Sequence, residues 1–223
     1  MQASRSDVVL LACGPITLLF ILDGFFKQAL YVCSPPLFWL FDAVKFVLLP
    51  AAILIWLARR HGIGPAQYGM HAVAESESWG HFLGLTIFLA LVLALVFSVA
   101  RYAAWFILDV PEQTLFYKSI RPDGWLGVPV VVYYSATAGI VEEIFCRALP
   151  LLYLKERFGK SPPGGAYVIA TAFLFGFGHW ENGNLEVVAT FGYGLFASAL
   201  YLKLRDLWPL IGAHTLIDVW AFW

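Results

Sequence analysis

Apolar runs close to the length needed to cross a bilayer recur along this chain, and nothing else constrains its fold as much. A hydrocarbon core about 30 Å thick takes roughly 20 mostly apolar residues per helix. Seven stretches meet or approach that length: residues 8–26, 36–58, 82–108, 126–154, 164–180, 185–204 and 207–223. They imply an all-α fold, a polytopic transmembrane helical bundle. The fourth stretch is long and interrupted by charge, so it reads either as one tilted helix or as two shorter ones. The expected span count is therefore seven, with eight as the alternative.

Composition excludes a separate soluble domain. Only 13% of the 223 residues are charged, 61% are hydrophobic, and the mean hydropathy is +0.76; soluble domains hold about 25% charged residues. The longest connections, residues 61–80 and 110–124, are too short for a second domain, and no internal repeat or low-complexity segment is visible. The chain reads as a single integral membrane domain over 1–223, divided into N-terminal spans (1–125) and C-terminal spans (126–223). A net charge of -1 without a long basic run offers no hold for nucleic acid. Cys13, Cys33 and Cys146 are odd in number and scattered, which suggests neither a disulfide framework nor a zinc knuckle. MQASRSD leads directly into VVLLACGPITLLFILDGFF with no small-x-small cleavage site, so the first apolar run is expected to be a retained span.

Loop charges give an orientation through the positive-inside rule. Arg5, Arg59, Arg60, Lys155, Arg157, Lys160, Lys203 and Arg205 fall on one face of a seven-span bundle, and Lys27, Lys118 and Arg121 on the other. That bias puts the N-terminus inside, and the chain is read as lying in the cytoplasmic membrane of a bacterium.

Ionisable groups at a helix centre cost about 2.5–3.5 kcal/mol each on insertion scales, so each needs a partner or a task. In the first half, Asp23, Asp42, Lys45 and Arg101 read as structural charges or snorkelling ends, with Asp42 and Lys45 spaced to pair on one helix face. The second half is less easily dismissed: Glu142, Glu143, Arg147, His179, His214 and Asp218 fall in or at the ends of three apolar spans. Glu143 and Arg147 are four apart and can neutralise each other. Glu142 points about 100° away from Glu143 and has no cation nearby in sequence. His214 and Asp218, also four apart, present an imidazole and a carboxylate together. Pro150 should kink the fourth span just past the arginine, and Gly176 and Gly178 would let backbones approach closely beside His179.

Depth allows these groups to meet. With inner helix ends near residues 155, 164 and 207, Glu142 lies about 20 Å, His179 about 22 Å, Asp218 about 17 Å and His214 about 11 Å from that face. A carboxylate in a low-dielectric cavity suits general acid–base work, and a nearby histidine can orient water or stabilise an oxyanion. No serine is placed as a nucleophile, and Cys146 lacks an activating motif and reads as a packing residue. Activated water attacking a carbonyl is the simplest chemistry.

The segment EEIFCR (142–147) resembles the EExxxR motif of the CPBP intramembrane proteases, the family of CAAX prenyl endopeptidases and bacteriocin-processing or self-immunity proteins. FGFGH (175–179) is similar to that family's FxxxH, and HTLID (214–218) to its HxxxN or HxxxD, in the family's order. The resemblance implies a variable N-terminal region and a catalytic core over 126–223. It implies an endopeptidase in which Glu142 and His179 activate water and His214 and Asp218 stabilise the oxyanion or complete the polar site. Glu143, Arg147 and Phe175 would be supporting residues. Asp218 stands where well-studied members have asparagine; an ionised aspartate cannot donate to an oxyanion, so it must stay protonated, orient His214 or bind a metal. Glu142, His179, His214 and Asp218 also make an acceptable zinc set, so a metalloprotease remains open beside the favoured metal-free, glutamate-activated mechanism. The expected substrate is a membrane-associated protein or peptide. The rival readings are a non-catalytic immunity or scaffold protein using the same cavity, and a proton-coupled transporter, against which no internal pseudo-repeat is visible.

Overall fold

A computed structural model describes residues 4–71, 78–109, 115–159 and 163–223, and among these the secondary structure is helical, with no strand. Lys160, one of the basic residues used for orientation, lies outside the described residues.

Among the described residues, five helical segments are long and apolar enough to cross a membrane: Arg5–Phe25, Pro35–His61, Trp79–Leu108, Gly124–Phe158 and Asn184–Leu204. The expected spans at 164–180 and 207–223 correspond to shorter helices, Gly164–Phe177 and Trp208–Phe222. The long apolar helices turn apolar side chains outward. Along Trp79–Leu108 the exposed residues Leu83, Ile87, Leu91, Leu95 and Val99 recur every four residues, while Leu89 and Leu93 are buried. An apolar outer stripe suits lipid, which covers it without the penalty water would impose. The chain is an integral membrane protein.

The helices in chain order are α1 (Arg5–Leu22), α2 (Lys27–Cys33), α3 (Pro35–Ala43), α4 (Leu49–His61), α5 (Trp79–Leu108), α6 (Phe116–Ser119), α7 (Gly127–Glu143), α8 (Leu149–Phe158), α9 (Gly164–Phe177), α10 (Asn184–Leu204) and α11 (Trp208–Phe222). A capping box starts α1: the Ser4 hydroxyl accepts from the Asp7 N–H, and the Asp7 carboxylate accepts from the Ser4 N–H, both at 3.2 Å. The short helix α2 lies in what reads from sequence as a connection between two spans. α10 packs against α9 and α5, α11 against α7 and α5, and α1 against α8 and α4.

Two rods contain a π-helical turn, Val44–Leu48 between α3 and α4 and Ile144–Ala148 between α7 and α8. Each ends two residues before a proline, Pro50 and Pro150. Proline has no N–H to donate and its ring clashes with the carbonyl four residues back, so a local widening of the helix accommodates it. The fourth apolar stretch is thus one helical rod with a π turn where a kink was expected. Pairing also differs from expectation in the first half. Lys45 lies inside a π turn and bonds Asp23, 22 residues away, and Asp42 instead accepts from the Tyr117 hydroxyl at 2.6 Å. Partners on other segments, Asp23 for Lys45 and Tyr117 for Asp42, take the place of the pairing that spacing within one helix suggested.

Candidate active site

Close packing of α7 against α11 brings the first and third motifs together. A Cβ built on Gly139 would lie 2.7 Å from Thr215 Oγ1 and 3.2 Å from the Ile211 carbonyl, a separation only glycine tolerates. One turn further along α7 are Glu142 and Glu143, facing His214 and Asp218 of α11. Gly176 performs the same service between α9 and α10, where a Cβ would meet Phe191 and the Val187 carbonyl at 2.9 Å. Small residues at such contacts are how membrane helices approach.

Glu143 is the hub of the arrangement. Its side chain is fully buried, and its Oε1 accepts from the Arg147 guanidinium at 2.5 Å, from His214 Nδ1 at 2.8 Å and from the Tyr193 hydroxyl at 3.5 Å. The pairing with Arg147 is the one that helical spacing predicts; the bonds to His214 and Tyr193 join separate helices and are invisible in the sequence. Arg147 lies over two aromatic faces, 4.3 Å from the Phe175 ring and 5.2 Å from the Tyr193 ring, where ring quadrupoles attract a cation. Tyr167 donates to the Arg147 carbonyl at 3.1 Å. This carbonyl belongs to the π turn, so the turn's loosened backbone has a side-chain partner.

His214 has one nitrogen occupied and one facing the site. A carboxylate only accepts, so the bond to Glu143 fixes a hydrogen on Nδ1. Nε2 then stands 3.8 Å from Glu142 Oε2 and 3.6 Å from Asp218 Oδ2. Glu142 and Asp218 are more open than the residues behind them, with side chains 13% and 17% exposed against 0% and 1% for Glu143 and Arg147. Among the described residues, neither Glu142 nor Asp218 has a lysine or arginine within ion-pair distance.

His179 sits differently from the expectation of a helical residue. α9 ends at Phe177, and His179 lies on the turn that follows, before a 3-10 segment at Trp180–Asn182. Its Nδ1 donates to the Phe175 carbonyl at 2.8 Å, which leaves Nε2 as an acceptor in the neutral ring. Phe175 supports the whole group, with ring centroids 4.8 Å from His179, 5.5 Å from Tyr193 and 5.9 Å from His214. Glu142, His179, His214 and Asp218 all line one cavity of about 1210 Å³, open mouth included, together with Cys146, Phe175 and Tyr193. His179 reaches that cavity without coming within ion-pair distance of Glu142.

Among the described residues, no group of three or more His, Cys, Asp or Glu side chains is arranged to hold a metal ion.

The N-terminal half contributes to the same cavity, which sequence reasoning missed. Asp23, Lys27 and Lys45 line it, alongside Glu181 and Glu186 from the C-terminal half. Lys45 pairs with Asp23, Lys27 with Glu181, and Arg101 with Glu186 at 3.2 Å. Lys27, counted as a loop charge from sequence, is buried. The available signal was a cluster of ionisable residues near the ends of two early apolar runs, but their partners lie up to 154 residues away.

Residues 124–220, α7 to α11 with the turn before them, match the family model described as type II CAAX prenyl endopeptidase Rce1-like. The resemblance carried by the three motifs is borne out for that segment. Comparison with curated proteins and with solved structures gives no match.

Proposed function

With an Rce1-like segment over 124–220 as the premise, we propose that this protein is an intramembrane endopeptidase that hydrolyses a peptide bond by glutamate-activated water. The family match speaks for a CAAX-protease-like peptidase, and the mechanism is our reading of the side chains. Glu142 removes a proton from a water in the cavity, and the resulting hydroxide attacks the scissile carbonyl carbon. His179, through Nε2, helps to hold that water. Protonated His214 carries an N–H at both nitrogens; Glu143 takes the one at Nδ1, and the one at Nε2 donates to the oxyanion. Collapse of the tetrahedral intermediate breaks the C–N bond. Glu142 returns its proton to the leaving amine, and a carboxylate and an amine result.

Asp218 acts through His214 in this scheme. An ionised aspartate cannot donate to the oxyanion; Asp218 Oδ2 stands 3.6 Å from Nε2 and orients the imidazole. The departure from asparagine therefore assigns oxyanion stabilisation to the histidine. No step is routed through a metal.

The observation that carries the reading is the asymmetry of His214, with Nδ1 held by buried Glu143 and Nε2 between two carboxylates that, among the described residues, have no lysine or arginine partner. The substrate is a membrane-associated protein or peptide that enters the cavity from the bilayer. In this reading the two shorter helices α9 and α11 complete seven crossings of the cytoplasmic membrane of a bacterium, with the N-terminus on the inner side. A comparison of membrane proteomes from cells carrying the wild type and Glu142→Gln tests the function and names the substrate. Uncleaved precursors accumulate with the variant if the protein is a protease. Identical proteomes at equal expression would favour a non-catalytic role.

A further inference from the structure

His179 is half-buried and lies outside the regular helix framework. It follows the last residue of α9 by two, and its turn is held by few main-chain bonds, His179 N–H to the Gly176 carbonyl at 3.1 Å and Asn182 N–H to the His179 carbonyl at 3.0 Å. A catalytic constellation must be held to within about 0.5 Å, and turns supply this less well than helices. Support comes from the N-terminal half of the chain. The Trp180 indole N–H donates to the Ile21 carbonyl at 3.0 Å, near the end of α1, and the indole lies 4.6 Å from the Phe25 ring. Gly24 permits the approach, because a Cβ there would fall 2.9 Å from the Trp180 ring and 3.0 Å from Glu181 Cβ. Lys27 Nζ bonds Glu181 Oε1, which also accepts from Asn182 at 3.1 Å. Lys27 is itself seated 5.6 Å from the Phe116 ring and 5.5 Å from the Tyr117 ring.

We infer that Lys27 and Glu181, with Trp180 and Gly24, form a clamp that positions His179 for catalysis, so that a segment outside 124–220 completes the active site. This rests on the catalytic reading above. Bulk stabilisation accounts poorly for the ion pair. Replacing a buried pair by apolar residues is often neutral or stabilising, and this pair joins two distant stretches two residues from His179. Lys27 and Glu181 are positioning residues; neither need touch substrate.

The test uses full-length protein reconstituted in lipid, with ring-¹⁵N histidine and cleavage of a quenched farnesyl-cysteine CAAX peptide. The His179 signals are assigned by their loss in His179→Gln, and His214 serves as an internal reference. In Lys27→Met, kcat falls about tenfold with KM changed less than about twofold, the scale of a small misplacement of a reacting group. The His179 ring loses its single Nδ1–H tautomer, and the His214 signals stay as in the wild type. The charge swap Lys27→Glu/Glu181→Lys restores both readouts; where the swap fails to fold, Lys27→Arg carries the rescue. Wild-type kcat and His179 signals in Lys27→Met would overturn the clamp, as would equal disturbance of His179 and His214, which marks general loosening. Failure of the catalytic reading shows separately, as unimpaired cleavage by Glu142→Gln, while the His179 signals still decide the clamp.

Discussion

Two sets of charges face one cavity and follow opposite rules. In the set contributed largely by the N-terminal half, charges are matched singly, Lys45 to Asp23 and Lys27 to Glu181. In the C-terminal set, Glu142 and Asp218 share one imidazole, and the Arg147 guanidinium is spent on Glu143 behind them. An uncompensated charge in a low-dielectric setting is expensive and persists where it has a task. The matched set reads as structure and positioning, and the unmatched set as chemistry.

Stability measurements can break that contrast. The largest expected effect is from Arg147→Met, which strips Glu143 of its cation while keeping bulk in the aromatic sandwich. Loss of one partner from a buried pair costs about 3–5 kcal/mol, so unfolding in mixed micelles should shift by that amount and cleavage should cease. Lys45→Met should cost up to a similar about 3–5 kcal/mol by orphaning Asp23. The double variant Asp23→Asn/Lys45→Met recovers most of that loss, and a double-mutant cycle reads the coupling. If the double variant is no more stable than the single, the charges are not a matched pair. Gly139→Ala is smaller: forcing a methyl against Thr215 and the Ile211 carbonyl costs about 1–3 kcal/mol, and by parting α7 from α11 it lowers kcat more than it raises KM. The least effect is expected at Cys146, which lines the cavity but is itself buried among packing residues. Cys146→Ala should leave cleavage within about a factor of two, and a full loss would make the thiol the nucleophile.

The same contrast explains what was legible in the sequence. The Glu143–Arg147 pair and the closeness of His214 to Asp218 follow from four-residue spacing within one rod, so the third-motif pairing and the arginine partner could be read directly. Apolar run lengths located the helices for a similar reason, since they depend on local composition. Contacts between rods were not legible. His214 to Glu143, Lys27 to Glu181 and Lys45 to Asp23 each depend on how helices pack, and the tertiary partners Asp23 and Tyr117 replace the Asp42–Lys45 pairing that local spacing suggested. Gly176 and Gly178 were read as packing positions; Gly176 is one, but Gly178 caps α9 and leaves His179 on a turn. The short helix α2 was hidden because Lys27 to Cys33, with a lysine and a glutamine at its start, looks like a connection.

The central claim is that Glu142, which among the described residues has no lysine or arginine partner and shares the His214 imidazole with Asp218, activates water. Cleavage rates of reconstituted Glu142→Gln and of Asp23→Asn/Lys45→Met, measured side by side with the wild type, test it most directly. The account predicts a loss of at least about a hundredfold for Glu142→Gln, the usual reach of general-base catalysis, with unchanged folding, while the matched-pair variant keeps most of its rate. Near-wild-type cleavage by Glu142→Gln would contradict it.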